Sequence, residues 1–361
     1  MILMWKRLLK GMLWLWAATA MPALPAATEP SHDERVLHDL QKAKPGTVGE
    51  SFVHYTVPPL SNIKRTPSTY PTDGKLGAPV RIVAAKGELE PASIVLYPFR
   101  DCQRVELEIS DLTGTNGVIP KTTIDAKIVK VWYQTGAGWY SYFADSKGRE
   151  LVPELLLNDE TLIRVDPDTL DNYLRVDYPP PKGSQYIWIT PPQEIHIPFN
   201  AQVEPVADAK TLQPFSLKKG EFKQLWFTLE APRNAEGIYT GTLRLIADGK
   251  PQPPIPLEVR VLPFELPDPM TNYDLSRIYY TSIYNYTSLK RYLKENGGDL
   301  EAAKRRVLNE YINLKKHNLL YPIVPDDRDL FLLREQLRLY KQAGLRTDTL
   351  FLGTPIHPSY A

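Results

Sequence analysis

Three clusters near the C-terminal end of the chain carry side chains of the kind that bind polar substrates or move protons. Tyr284 and Asn285 make the first, Asp326 and Asp327 with Arg328 the second, and His357, inside Pro355-Ile356-His357-Pro358, the third. A tyrosine ring stacks on a flat apolar face, carboxylates accept hydrogen bonds from hydroxyls, and a histidine exchanges a proton near neutral pH. Asp326 and Asp327 also suit another task, capping the helix that begins beyond Asp329. Two adjacent Asp–Glu pairs lie elsewhere, Asp33-Glu34 and Asp159-Glu160. The first sits close to the N-terminus and the second in a β-type region. Carboxylates in such places are usually solvated or cap turns, so neither pair is given a catalytic role.

The elements that would position these clusters alternate between strand and helix. Leu275 to Tyr284 is an apolar, tyrosine-rich strand, followed by a short helix over Ser288 to Glu295 that Gly297-Gly298 stops. Asp299 can cap a longer helix in which Val307, Leu308, Tyr311, Ile312 and Leu314 share one face, with His317-Asn318 ending it. Leu319 to Val324 is a compact strand. Asp329 caps a further helix with Leu330, Leu333, Leu337 and Tyr340 facing inward, and Gly344 ends that one. Thr349 to Leu352 is a third strand. Buried-type strands joined by helices predict parallel βαβ units. Each cluster then follows the C-terminal end of a strand, where barrel folds of this kind build their sites.

Upstream the pattern changes to β. The stretch Gln224 to Leu262 organises it. Leu225, Phe227 and Leu229 fall on one face of a strand, while Gln224, Trp226, Thr228 and Glu230 share the other. A turn over 231–237 leads to a second run, Ile238 to Ile246; Asp248-Gly249 is a strong turn signal, and Leu257, Val259 and Val261 alternate with Glu258, Arg260 and Leu262. This reads as a β-meander with one face buried. Further strands are expected at Arg81 to Ala85, Ala92 to Pro98, Val105 to Ser110 and Ile124 to Trp132, with a turn at Asn116-Gly117. Strands at this spacing predict an antiparallel β-sandwich. The segment Val152 to Asp166 is less regular, Tyr178 to Pro192 reads as an excursion, and one short helix is expected around Glu34 to Ala43. The proline-rich seam Pro263 to Pro269 separates the two grammars. The organisation expected is a signal peptide over 1–27, a linker and first strand over 28–79, a sandwich over 80–267, and an α/β segment over 268–361.

Composition narrows the possible partners. A net charge of +1 gives no reason to expect nucleic acid. The single cysteine, Cys102, cannot form an internal disulfide and reads as a small buried residue. No His-Glu-x-x-His, phosphate-cradling glycine loop, dinucleotide fingerprint or nucleophile-elbow serine occurs, so no metal or cofactor is expected. Lys6, Arg7 and Lys10 precede a short apolar run over Gly11 to Ala20, with Ala18-Thr19-Ala20 as a cleavage site and Ala26 or Ala27 as later ones. This is the pattern of a secretory signal peptide, which places the mature protein in the periplasm or outside the cell, with no membrane span after cleavage.

Several of these stretches resemble glycoside hydrolase family 123, whose members join an N-terminal β-sandwich to a C-terminal (β/α)8 TIM barrel. The matching pieces are Gly87-Glu88-Leu89-Glu90-Pro91-Ala92-Ser93, Val131-Trp132-Tyr133-Gln134, Pro153-Glu154-Leu155-Leu156-Leu157, and Lys223 through Leu245 with Gly237-Ile238-Tyr239-Thr240-Gly241. The resemblance covers most of Val80 to Ala361, and its best motifs lie in the sandwich. It implies hydrolysis of β-linked N-acetylhexosaminides, typically of N-acetylgalactosamine. The substrate's own acetamido oxygen would attack the anomeric carbon, an Asp would orient it, and an adjacent Glu would protonate the leaving oxygen. No such pair follows a barrel-type strand here. About ninety residues follow the seam, whereas a complete barrel takes roughly 250. The expectation is therefore a glycosidase-like chain that stops early in the barrel, about three βα units in, and lacks hydrolase activity on its own. The other reading is a non-catalytic carbohydrate-binding or structural sandwich, with Trp132, Trp139 and Tyr140 as an exposed aromatic platform.

Overall fold

The computed structural model describes residues 30–135, 149–189, 206–266, 282–283, 287–325 and 329–353. Helix α1 (His32–Gln41) comes first, then β1 (Phe52–Val57), β2 (Lys75–Leu76), β3 (Val80–Lys86), β4 (Leu89–Pro98) and β5 (Cys102–Ile109). A tight hairpin of β6 (Leu112–Gly114) and β7 (Gly117–Ile119) leads to the long β8 (Ile124–Thr135) and β9 (Arg149–Leu157). Next come β10 (Ile163–Asp166), β11 (Asp171–Asp177), β12 (Ser184–Trp188) and β13 (Phe215–Leu217). The β part closes with β14 (Lys223–Glu230), β15 (Gly237–Ala247), β16 (Lys250–Pro251) and β17 (Ile255–Glu265). The α/β part holds β18 (Ser282–Ile283), α2 (Leu289–Glu295), α3 (Leu300–Lys316), β19 (Tyr321–Pro322), β20 (Val324–Pro325), α4 (Leu330–Gln342) and β21 (Leu352–Gly353).

Two sheets face each other over one core. The first has the order β2-β1-β4-β14-β8-β9, and the second has the spine β13-β5-β15-β17-β3, with β16 and the β6–β7 hairpin attached to β15. Their inner faces meet through Ile94, Leu96, Ile128, Leu225, Phe227 and Leu229 from one side and Ile82, Val105, Tyr239, Leu245, Leu257 and Val259 from the other. Cys102 lies fully buried in this core, and burial pushes its thiol above the ordinary value. This is a β-sandwich in which β3 runs parallel to β17 while the other pairings within the two sheets are antiparallel.

The meander expected over Gln224 to Leu262 is corrected. β14 does not pair with β15; its two neighbours are β4 and β8, and β15 belongs to the opposite sheet. The alternation specified which face is buried but not which strand lies alongside, because both strands bury an apolar face in the same core. The 231–236 connection crosses from one sheet to the other, held by Gly87 N–H to Ala231 O and Ala231 N–H to Glu88 O at 2.9 Å each. Beyond it the reading holds: β15 turns at Asp248-Gly249, both with positive φ, and β15 pairs antiparallel with β17.

Two stretches are more regular than the sequence suggested. Val152 to Asp166 contributes to β9, which pairs along most of β8, and to β10. The Tyr178 to Pro192 excursion contains β12, the third strand of a small sheet β10-β11-β12. Proline clusters hid the first half of that hairpin, because Pro179, Pro180 and Pro181 form its turn and not its strands.

Helix α1 covers part of the outer face of the first sheet. Ser31 caps it, with a reciprocal bond from its own N–H to Glu34 at 2.8 Å. Val36 buries against Val53, Tyr55, Val95, Tyr97 and Phe222. Its acidic side chains receive tyrosine hydroxyls: Tyr55 and Tyr70 donate to Asp39, and Tyr97 donates to Asp33. Burial, together with these carboxylates, raises all three phenols, Tyr70 to about 12. A phenol raised above its unfolded value near 10 contributes stability that is complete below pH 10 and is lost as pH climbs through the folded value. Thermal stability is expected to fall between pH 10 and 12. Tyr70→Phe should make the fall shallower in a series of melts; an unchanged slope would exclude Tyr70 as a source.

The helices of the α/β part stand where the periodicity predicted, but two of the faces are corrected: Leu330, read as inward, is exposed, as is Ile312, and α4 buries Leu332, Gln336, Leu339 and Tyr340 instead, because Leu330 lies in the first turn, ahead of the contact with α3. Asp299 accepts from the N–H groups of Glu301 and Ala302, and Asp329 from those of Phe331 and Leu332, so both caps stand where they were read. Val307, Tyr311, Leu339 and Tyr340 bury against one another between α3 and α4. β18 pairs parallel with β19, and β20 pairs parallel with β21. Four short strands therefore form two parallel pairs, with α2 and α3 between β18 and β19 and α4 between β20 and β21. A closed barrel is not part of the described structure.

Candidate functional site

Parallel pairing aligns the C-terminal end of β18 with that of β19, and the C-terminal end of β20 with that of β21. Ile283 lies opposite Pro322, and Pro325 lies opposite Gly353. Tyr284 and Asn285 follow Ile283 in sequence, Asp326 and Asp327 follow Pro325, and His357 comes four residues after Gly353. These five residues lie outside the described residues, so only their places in the chain are fixed by their strands.

What surrounds the first strand end is described, and sequence reasoning missed it. Thr287 donates from Oγ1 to Glu310 at 2.6 Å, and the Tyr292 hydroxyl lies 2.8 Å from both Glu310 oxygens. Arg306 reaches the same carboxylate at 3.3 Å. Gln336, buried, takes the Leu289 N–H on its oxygen and donates to Thr287 O and the Tyr311 hydroxyl. A fully used buried amide fixes the segment after strand β18 against α4. The i to i+4 spacing of Arg306 and Glu310 was the available signal for the ion pair. Nothing local marks Gln336.

The two Asp–Glu pairs have structural partners. Asp159 caps the 3-10 turn Glu160–Leu162 through Thr161 N–H at 2.9 Å and binds Arg175 at 2.9 Å. Glu160 is partly buried, 2.5 Å from Lys223 Nζ, and accepts from Ser216 N–H at 2.8 Å. Burial alone would raise this carboxyl, but the charge and hydrogen bond of Lys223 outweigh it and hold Glu160 below the usual range. In the other pair, Glu34 completes the α1 cap and Asp33 receives Tyr97. Capping and pairing give all four a structural partner.

The aromatic platform is only partly placed. Trp139 and Tyr140 lie outside the described residues. Trp132 is half-buried against the cluster of Leu157, Leu162 and Ile163, with its indole N–H on Glu154 Oε2 at 2.8 Å. A different indole faces a hollow. Trp226, on the outer side of β14, lines a groove of about 510 Å3 between the 59–65 loop and the outer face of β14, β8 and β9. Helix α1 leaves this part of the sheet uncovered. Gln224, Asn62, Glu154, Leu156 and Arg65 also line it. Among the described residues no group of three His, Cys, Asp or Glu side chains is arranged to hold a metal ion, and no helix is long and apolar enough to cross a membrane.

Fold and site together define a β-sandwich followed by parallel α/β units. No family model matches the sequence, and no curated protein aligns with it. Among solved structures, a family 123 glycoside hydrolase from Clostridium perfringens, studied for glycolipid glycan hydrolysis, aligns over 74% of this chain at 16% identity with a TM-score of 0.45. The match spans 41% of that enzyme's length. An ASH/PapD-like domain of human CEP192 aligns over 58% of this chain and 94% of its own, at 9% identity and a TM-score of 0.19. At these levels neither likeness assigns an activity.

Proposed function

We propose that this chain is a glycoside hydrolase-like, exported glycan-binding protein whose ligands are β-linked N-acetylhexosaminide glycans, and that it does not itself hydrolyse them. The observation that carries the reading is the arrangement of strand ends described above. Each parallel pair ends in register, and in the chain Tyr284 and Asn285 follow β18, Asp326 and Asp327 follow β20, and His357 comes four residues after β21. A stacking ring, carboxylates and an amide are the groups a sugar's faces and hydroxyls require. The sandwich motifs at Gly87–Ser93 and Gly237–Gly241 support the same family reading, and the N-terminal basic and apolar segments support export.

No adjacent Asp–Glu pair occurs beyond residue 268, so the groups that would orient an acetamide and protonate a leaving oxygen are not in this segment. The chain is expected to bind an oligosaccharide ending in β-linked N-acetylgalactosamine in a calorimetric titration. It should release no nitrophenol from the matching nitrophenyl glycoside. Asp326→Asn with Asp327→Asn should weaken binding about tenfold, the effect of losing charged hydrogen-bond acceptors. A folded chain that binds no such glycan overturns the reading, and turnover of the glycoside overturns the non-hydrolytic part.

A second reading, a carbohydrate-binding sandwich, is favoured by one specific observation, the Trp226 groove.

A further inference from the structure

We infer that the groove under the 59–65 loop is a second glycan-binding site, built by the sandwich alone, that takes a neutral sugar ring against Trp226. The inference rests on the glycan reading above but places a contact far in sequence from the strand-end residues. Trp226 sits between Leu225 and Phe227, both buried inward, so the pleat turns its indole to the outside of the sheet. Its cross-strand neighbours are Ser93 and Lys127. An indole in that position, half-buried and with no helix over it, serves no core.

The polar groups around it are only partly used. Gln224 lies two residues along on the same face; its amide nitrogen donates to Ser93 Oγ at 2.8 Å, and its carbonyl oxygen has no partner among the described residues. Asn62 is exposed on the facing loop and makes no hydrogen bond to the described residues. Arg65, 7% exposed, forms part of the groove wall and donates to Asp73 at 2.7 Å; its other terminal nitrogen and the second Asp73 oxygen are both buried beside this pair, so Arg65 shapes the wall and the free polar capacity facing the groove is that of Asn62 and the Gln224 carbonyl.

Charge and shape select the occupant. Arg65 is neutralised by Asp73, Lys64 by Glu150 at 2.6 Å, and Glu154 adds a negative charge at the rim. An anion would therefore gain little attraction here. A purely apolar ligand would leave Asn62 and the Gln224 carbonyl unmatched. A pyranose ring offers an apolar face for the indole and hydroxyls that both donate and accept. The volume falls within the roughly 300–1,000 Å3 of small-molecule sites.

The test uses the 361-residue protein carrying Asp326→Asn and Asp327→Asn, so that the strand-end contacts are weakened, on an array of neutral oligosaccharides. Residual binding is expected, and adding Trp226→Ala should weaken it about tenfold, the worth of one aromatic stack. Asn62→Ala, a change on an exposed loop, should weaken it about threefold and covers the case in which Trp226→Ala misfolds. Binding that disappears in the Asp326/Asp327 variant overturns the groove and leaves the strand-end reading standing. Binding unmoved by either groove substitution overturns the groove as well. No binding by the unsubstituted protein overturns both. A dimer in sedimentation that Trp226→Ala dissociates, with no glycan bound, would make a second copy the occupant and overturn the sugar assignment.

Discussion

Phe227→Ala is expected to destabilise the sandwich by about 3–5 kcal/mol, the range for emptying a buried aromatic site. The residue is 1% exposed and sits at the middle of β14. Its cross-strand neighbours are Ala92 on β4 and Ala126 on β8. Two alanines flanking one phenylalanine mean that its ring fills the space all three positions share. Neither neighbour has the length to close over the void, and the backbone is held on both sides by ladder bonds. Urea denaturation should show a lower midpoint at an unchanged slope. A loss below about 1 kcal/mol would mean that the opposing sheet collapses onto the site, and that the core is looser than its burial indicates.

The second large effect is electrostatic. Lys223→Met should cost about 2 kcal/mol at neutral pH, because it leaves the partly buried Glu160 without its main partner. Lys130 is close enough to soften the loss, although burial already lowers its own pKa and its Nζ is engaged with the Glu160 carbonyl at 3.1 Å. Glu160 has a folded pKa below its unfolded value, so the native protein holds this contribution above the unfolded pKa near 4.3 and loses it as pH falls through the folded one. Without Lys223 the carboxyl titrates higher, and the variant should regain part of its deficit on acidification toward pH 5. Glu160→Gln added to Lys223→Met should recover part of it at pH 7. Melts of the two variants across pH 5 to 8 check both points; a double variant no more stable than Lys223→Met would show that the cost lies in packing.

The elements legible in the sequence are those that carry their own signals. Asp299 and Asp329 announce their helices because a carboxylate before an amphipathic run has one structural use. Phe227 and Trp226 reveal opposite faces because the strand period is two. The neighbours of β14 were not legible, since alternation is blind to which strand lies alongside and both sheets share one core. α1 was visible as a helix near Glu34, but its docking was not: Tyr55, Tyr70 and Tyr97, which receive it, are spread over more than forty positions. The same limit applies to the sites. The strand-end residues could be located by element order alone. The groove needed the fold, because Trp226 shows only an outward phase, while its far wall is a loop without periodicity.

The place of β14 between β4 and β8 also dictates an order of events during synthesis. Both flanking strands leave the ribosome long before Lys223 does, and until then each lacks the partner on one side. In the other sheet, β3 must await β17 at the far end of the domain. A nascent chain ending ahead of residue 223 is thus not a smaller sandwich. It is two ribbons with open edges, the state most inclined to pair with another chain, and its safe passage depends on whatever shields those edges until β14 and the strands after it arrive.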